Sequence, residues 1–297
     1  MQEKIVISAS RRTDIPAFYM DWFMEGIGAG SFSVKNPYNG RISIVPATAD
    51  AVHSIVFWSK DFSRFIDEKY GKALMRLGYH LYFHFTINCE NKLLEPNIPP
   101  LCERIDQAKT LCRTFGPATV SWRFDPVCFY HEGQTYETDN TGCLETLAQR
   151  LSGFGILGCT TSFVDLYPKV VKKSAGISRF GFIDPPASQK IKMLISMKAI
   201  LDKFGIRLFT CCEKKVLAGL AEGCGISAGA CIDHRILTNL YGPGLSMKKD
   251  CGQRASKGCE CMVSRDIGDY TAQPCFHDCL FCYANPRACK ERISHEY

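Results

Sequence analysis

The chain has 297 residues, 46% hydrophobic and 22% charged, ordinary globular proportions that exclude disorder, collagen and coiled coil. That length admits one large domain or two small ones around a substantial core. The net charge of +6 is no nucleic-acid footprint, because metal-bound thiolates among the 17 cysteines would offset much of it, and residues 246–297 set eight Lys or Arg against seven Asp or Glu.

In chain order, the opening MQEKIVISASRR has no apolar stretch of signal-peptide length. Later apolar stretches such as IKMLISMKAIL are broken by lysine, well short of the 18 or so residues of a membrane span. The expectation is a soluble, cytoplasmic chain with no membrane partner. β-rich runs at Lys4–Ser8, Ser54–Trp58, Leu81–Ile87, Ala118–Phe124, Cys159–Val164 and Ile206–Cys211 predict six strands. Stretches of helical period lie between them at Ala17–Gly26, Phe62–Leu77, Pro100–Phe115, Gly142–Gly153 and Ser188–Phe204. Six βα units require a parallel sheet, so the expected fold is α/β, a partial (β/α)6 TIM-like barrel; an open doubly wound sheet is the alternative.

In either arrangement a functional site belongs at the carboxyl ends of the strands. Polar clusters fall there. They are Ser10, Arg11, Arg12, Thr13 and Asp14 after the first strand, Ser59-Lys60-Asp61 after the second, Arg123 to Asp125 after the fourth, Asp165 after the fifth, and Cys211-Cys212-Glu213 after the sixth. Any one of them reads equally well as a helix cap or surface loop; several on one rim read as a site.

From about Gly223 periodicity fades and cysteine dominates, dividing the chain into a barrel, 1–222, and a cysteine-rich iron–sulfur segment, 223–297. Cys275-Phe-His-Asp-Cys279-Leu-Phe-Cys282 spaces three thiolates so that one short loop can serve three irons of a cubane and leave the fourth open. An open iron can chelate the amino and carboxylate groups of S-adenosylmethionine. A chain this rich in cysteine meets the bare spacing by chance about once in twenty, so the flanks matter. The stretch resembles the C-x-H-G-C-x-Y-C-Y-A-x-P loop of radical S-adenosylmethionine enzymes of the spore photoproduct lyase type, with Asp278 for the usual glycine and Phe281 for the usual tyrosine. A zinc knuckle is the plain alternative.

Cys212, Cys231, Cys259 and Cys261 form a second candidate set, suited to a complete auxiliary cluster or to a structural zinc. An odd cysteine count without a signal peptide argues against a disulfide framework. Cys89, Cys102, Cys112, Cys128, Cys143 and Cys159 are therefore expected as unligated, unpaired thiols, while Cys211, Cys224, Cys251 and Cys289 remain spare.

The whole chain resembles the family called domain of unknown function 1848. The resemblance rests on Ser8–Tyr19, Val56–Lys60, Trp122–Pro126, Cys212-Glu213, Cys231-Ile-Asp233, Gln253-Arg254, Cys259-Glu-Cys261, Ser264–Tyr270 and the Cys275–Asn285 loop. It implies a radical S-adenosylmethionine-like protein with its cluster loop at the carboxyl end, and no particular substrate.

The resulting expectation is an oxidoreductase that cleaves S-adenosylmethionine at a [4Fe-4S] cluster on Cys275, Cys279 and Cys282, fed by an external donor such as ferredoxin or flavodoxin. Its substrate is unknown, and a second [4Fe-4S] cluster is auxiliary. Ser10, Arg11, Arg12, Thr13 and Arg123 are expected to face the cofactor, Arg12 or Arg123 pairing with its carboxylate. Asp14 or Glu213 is expected to hold the ribose hydroxyls, and Lys60 to complete the polar ring. The alternative is a non-catalytic iron–sulfur or zinc protein for electron transfer or redox sensing.

Overall fold

The structure, a computed structural model, describes residues 3–133, 137–252 and 254–284. Gln253, Asn285 and Cys289, named above, lie outside the described residues. Thirteen strands are defined: β1 Ile5–Ala9, β2 Ser31–Lys35, β3 Ile42–Pro46, β4 Val52–Ser59, β5 Leu81–Thr86, β6 Val120–Val127, β7 Phe129–Glu132, β8 Thr138–Asp139, β9 Gly158–Phe163, β10 Phe180–Ile183, β11 Arg207–Thr210, β12 Ser227–Ala228 and β13 Arg265–Asp266.

Eight of them form one parallel sheet in the order β12-β11-β9-β6-β5-β4-β1-β13. All six expected strands are in it, and from β1 to β11 their spatial order follows chain order without reversal. Parallel neighbours need long crossovers. The chain supplies them as the helices Ile15–Phe18, Met20–Gly28, Ser63–Asp67, Tyr70–Arg76, Leu101–Phe115, Leu144–Ser152 and Ala187–Asp202. Two of the expected helices are each broken in two, at Tyr19 and between Asp67 and Tyr70.

Strand alternation assigns the two faces. One face, with Ile7, Ile55, Phe57, Phe83, Phe85, Trp122 and Phe124, joins Met20, Phe23, Phe65, Ile105, Leu147 and Leu194 of the helices in the main core. The other begins apolar, with Val6, Val56 and Tyr82, and is covered by the tail through Cys231, Ile232, Leu237 and Cys261. Further along the same strands it turns polar at Ser8, His84 and Arg123.

The tail is knit into the sheet as well as folded over it. β12 extends the β11 edge and β13 the β1 edge, so residues on both sides of the expected division at 222/223 share one sheet. A three-stranded antiparallel sheet, β10-β7-β8, and the hairpin β2-β3 complete the strands. Cys89 and Cys143, expected as unpaired thiols, are joined in a disulfide with Cα atoms 5.5 Å apart. The turn after β5 meets the amino end of Leu144–Ser152 there, a contact across 54 positions that spacing does not reveal. Among the described residues no helix is long and apolar enough to cross a membrane.

Candidate functional site

The carboxyl ends of β1, β4, β5, β6, β9 and β11 and three stretches of the tail surround a pocket of about 310 Å³. The end of β1 contributes Ser10, Arg11, Arg12, Thr13 and Asp14, that of β4 Ser59 and Lys60, and β6 Arg123 and Asp125. From the tail come Cys231, Arg254, Cys259, Cys261, Cys275, His277, Cys279 and Cys282, with Cys211 and Cys212 after β11. Every expected thiolate ligand therefore lines one cavity.

A residue overlooked at the sequence level holds this assembly closed. Asp266, in β13, accepts hydrogen bonds from Ser8 Oγ at 3.0 Å, Ser10 Oγ at 2.6 Å, the Arg11 amide at 2.8 Å and the Gly268 amide at 3.1 Å. Ser10 thereby bonds to the tail while lining the pocket. Arg12 donates to the Gly268 carbonyl at 2.9 Å and approaches Asp266 at 3.8 Å, which keeps its guanidinium on the rim.

Asp14 is committed to the protein. One carboxylate oxygen caps Ile15–Phe18 through the Ala17 amide, 3.0 Å, as its extended backbone and the following proline favour. The other accepts from Ser59 Oγ (2.9 Å), the Lys60 amide (3.0 Å) and His277 Nε2 (2.7 Å). These bonds fasten the cysteine loop to the ends of β1 and β4. Glu213 is not among the residues that line the pocket, and its carboxylate accepts from the Phe163 amide at 2.9 Å, tying β9 to β11. Burial raises its pKa.

The three-cysteine loop is seated in apolar surroundings. Cys279, Leu280 and Phe281 pack with Leu94, Ile98, Tyr130, Val164 and Phe180. Position 278, where the resemblance expects glycine, has φ +54, and aspartate is among the few side chains that tolerate that region. Its carboxylate pairs with Lys173 at 2.6 Å, and the same lysine donates to the carbonyls of Asp278 and Cys279. Lys60, paired with Glu95 at 2.6 Å, lies 5.3 Å from the Phe281 ring centre. Burial works against its charge, yet Glu95 and Cys279 hold its pKa above the ordinary value.

Burial pushes the Cys275 thiol up to about 12 and Cys279 well above its ordinary range. Both are neutral at pH 7 until a metal displaces their protons. Amide hydrogens already point at the loop sulfurs, from Asp14 and His277 to Cys275 and from Ala284 to Cys282, 3.4 Å. Thr13 Oγ1, His277 Nδ1 and Arg11 Nη2 are buried polar atoms without a hydrogen-bond partner among the described residues. All three residues line the pocket, so its wall carries unused hydrogen-bonding capacity. The donor set thus fits a thiolate-bound group with a polar ligand beside it.

Arg123 is spoken for by the second cysteine set. Its Nη1 donates to Cys231 Sγ at 3.0 Å and its Nη2 to Asp125 at 2.5 Å, and the residue lines the pocket. Burial opposes its charge, but Cys231 and Asp125 raise its pKa well above the ordinary value. Trp58 lies between Arg11 and Arg123, 5.3 and 5.6 Å from its ring centre, and stacks on His84 at 4.3 Å. His84, also overlooked, donates from Nε2 to the Cys231 carbonyl; burial and then Arg123 lower its pKa to about 3, so the ring is neutral.

Cys211 lies 3.7 Å from Cys212 and 3.6 Å from Cys231, sulfur to sulfur. Cys259 and Cys261 lie near enough to Cys212 and Cys231 to shift their pKa values, and Cys211, a spare in the sequence, sits beside Cys212 and Cys231. Among the described residues no group of three or more His, Cys, Asp or Glu is gathered for a single metal ion.

With the geometry established, comparison with known proteins identifies the family. The family model for the domain of unknown function DUF1848 matches residues 6–284. The chain belongs to the DUF1848 family. No curated protein matches this DUF1848 chain. Among solved structures it is similar to D-hydantoinase from a Bacillus sp. AR9, with 10% identity and a TM-score of 0.30 over 66% of this chain. The chain spans 45% of the length of that structure. The matched region of the DUF1848 chain includes both cysteine sets and the rim after β1.

Proposed function

We propose that the chain is a radical S-adenosylmethionine enzyme whose catalytic [4Fe-4S] cluster is held by Cys275, Cys279 and Cys282. The observation that carries this reading is that the three cysteines of the C-x3-C-x2-C loop share a pocket of about 310 Å³ with the polar rim at the carboxyl ends of the parallel strands. The loop's resemblance to the spore photoproduct lyase type supports it. So does the unbroken strand order from β1 to β11, which suits a partial (β/α)6 barrel closed by a cysteine-rich segment. With S-adenosylmethionine bound, such a cluster supplies reductive cleavage to methionine and a hydrogen-abstracting 5′-deoxyadenosyl radical, drawing its electron from a donor of the ferredoxin or flavodoxin kind.

The chain's own residues bind, orient and enclose. Asp14 and His277 hold the loop against the ends of β1 and β4, and Lys60 keeps a positive charge beside Cys279. Thr13 and His277 offer unused buried polar atoms, and Arg12, 16% exposed, is the guanidinium on the rim for a carboxylate. An electron carrier needs no cavity of this size, which favours the enzyme over the non-catalytic alternative.

The assignment of Arg12 is tested by equilibrium binding of S-adenosylmethionine to anaerobically reconstituted protein. A charge-assisted contact contributes about 1.5–3 kcal/mol, so Arg12→Ala is expected to weaken binding about ten- to hundredfold while iron content stays unchanged. Unchanged affinity would remove Arg12 from the cofactor site.

A further inference from the structure

Arg254 carries part of the family resemblance, yet the chemistry proposed for the loop gives it no task. We propose that Arg254 and Tyr283 bind an oxyanion, carboxylate or phosphate, of a substrate whose apolar body lies along the wall at the ends of β6 and β9. This rests on the reading of the pocket as that of an S-adenosylmethionine enzyme and gives its substrate a chemical class.

The pocket has two ends. Arg12 follows β1, whereas Asp165 and Tyr167, which hold Arg254, follow β9, and β4, β5 and β6 lie between them in the sheet. Neighbouring strands are about 4.8 Å apart, so four steps across the sheet separate the two ends by up to about 19 Å. A cofactor carboxylate held by Arg12 therefore leaves Arg254 to another anion.

Arg254 is fixed in place by its side chain. Its φ of +37 lies in a region that residues other than glycine rarely adopt, and such a backbone persists where the surroundings determine it. Its Nη2 donates to Tyr167 Oη at 2.8 Å and lies 3.3 Å from Asp165. Its guanidinium carbon is 5.8 Å from the ring centre of Tyr167 and 5.7 Å from that of Tyr283, within cation–π range of both. Tyr283 directly follows Cys282, so this corner adjoins the cysteine loop.

The fixed group keeps donors in reserve. Of the guanidinium nitrogens only Nη2 makes a hydrogen bond among the described residues, and the Tyr283 hydroxyl makes none there. Both side chains are partly exposed, 31% for Arg254 and 38% for Tyr283, so a ligand in the pocket can reach them. A planar guanidinium with free N–H groups matches an oxyanion.

Charge and polarity set the class of ligand. Asp165 is a carboxylate in the same corner, but Lys257 at 2.7 Å and Arg254 set two cations against it. The balance is one positive charge, which the head group of the substrate offsets. Beside it the pocket is lined by Pro126, Phe163, Val164 and Ala284, an apolar wall for the rest of the molecule.

The test titrates benzoate, phenyl phosphate and the neutral isostere benzamide into full-length, anaerobically reconstituted protein, with and without S-adenosylmethionine. At least one of the two anions should bind about tenfold or more tightly than benzamide, and should do so in both conditions. Arg254→Gln should erase that preference while iron content and affinity for S-adenosylmethionine stay unchanged, and Tyr283→Phe, which removes only the hydroxyl, should weaken the anion by a smaller factor. No preference for either anion, or a preference that survives Arg254→Gln, would overturn the proposal. Displacement of the anion by S-adenosylmethionine would overturn it too, by placing the cofactor in this corner. Should Arg254→Gln fail to fold, the wild type decides: the preferred anion, and not benzamide, should protect Arg254 from modification by phenylglyoxal, and an unprotected Arg254 contradicts the site. The enzyme reading fails separately, through absence of 5′-deoxyadenosine from protein that still binds the anion at Arg254.

Discussion

Cys282→Ala is expected to lower S-adenosylmethionine cleavage by at least about a thousandfold, because it removes an acting group outright. Bound iron should fall by about four per chain. The fold should survive, since the apolar seat of the loop is made by Leu280 and Phe281, with Leu94, Tyr130 and Phe180 beneath them. Cys279 is buried within it, so truncation at 279 should cost stability as well as metal. Iron content and 5′-deoxyadenosine formation, measured on one preparation, check the prediction; cleavage at the wild-type rate would contradict it.

Asp266→Ala is expected to destabilise the protein by about 3–5 kcal/mol, the range for removing one partner of a buried charged network. The carboxylate accepts from Ser8, Ser10 and the amides of Arg11 and Gly268, and its loss leaves those donors without an acceptor where the tail meets β1. Arg12 loses its nearby carboxylate in the same stroke. Asp266→Asn keeps the shape and one acceptor oxygen, and should fall between the variant and the wild type. Denaturant unfolding measures both. A cost below about 1 kcal/mol for the alanine variant, the level of an ordinary surface change, would show that the tail is docked by other contacts.

What the sequence disclosed and what it concealed divide along the range of the interactions. The six sheet strands from β1 to β11 were legible because each is a short β-rich run bounded by polar turns, with burial strong enough to impose its pattern. The hairpin β2-β3 was not, since Ile42 and Ile44 lie on its exposed side, 69% and 67% accessible, so apolarity there does not track burial. β12 and β13 have two residues each and no period to read; register with β11 and β1 defines them.

Long-range partners were equally hidden. Asp266 reads as a surface charge until the fold brings it to Ser8, 258 positions away. The pocket's cysteines stand out in the sequence by their spacing, but the bond of Arg123 to Cys231, across 108 positions, does not. Asp14 lies on the rim, and the convergence of His277, Ser59 and Lys60 on one of its oxygens could not be read from spacing.

The most direct test of the central claim is the reaction of S-adenosylmethionine with anaerobically reconstituted, reduced wild-type protein, followed by chromatography of the products. The account predicts 5′-deoxyadenosine and methionine in equal amounts, formed only when reductant and iron are both present. Protein that holds iron on Cys275, Cys279 and Cys282, binds or fails to bind the cofactor, and yields no 5′-deoxyadenosine above the iron-free control would contradict it.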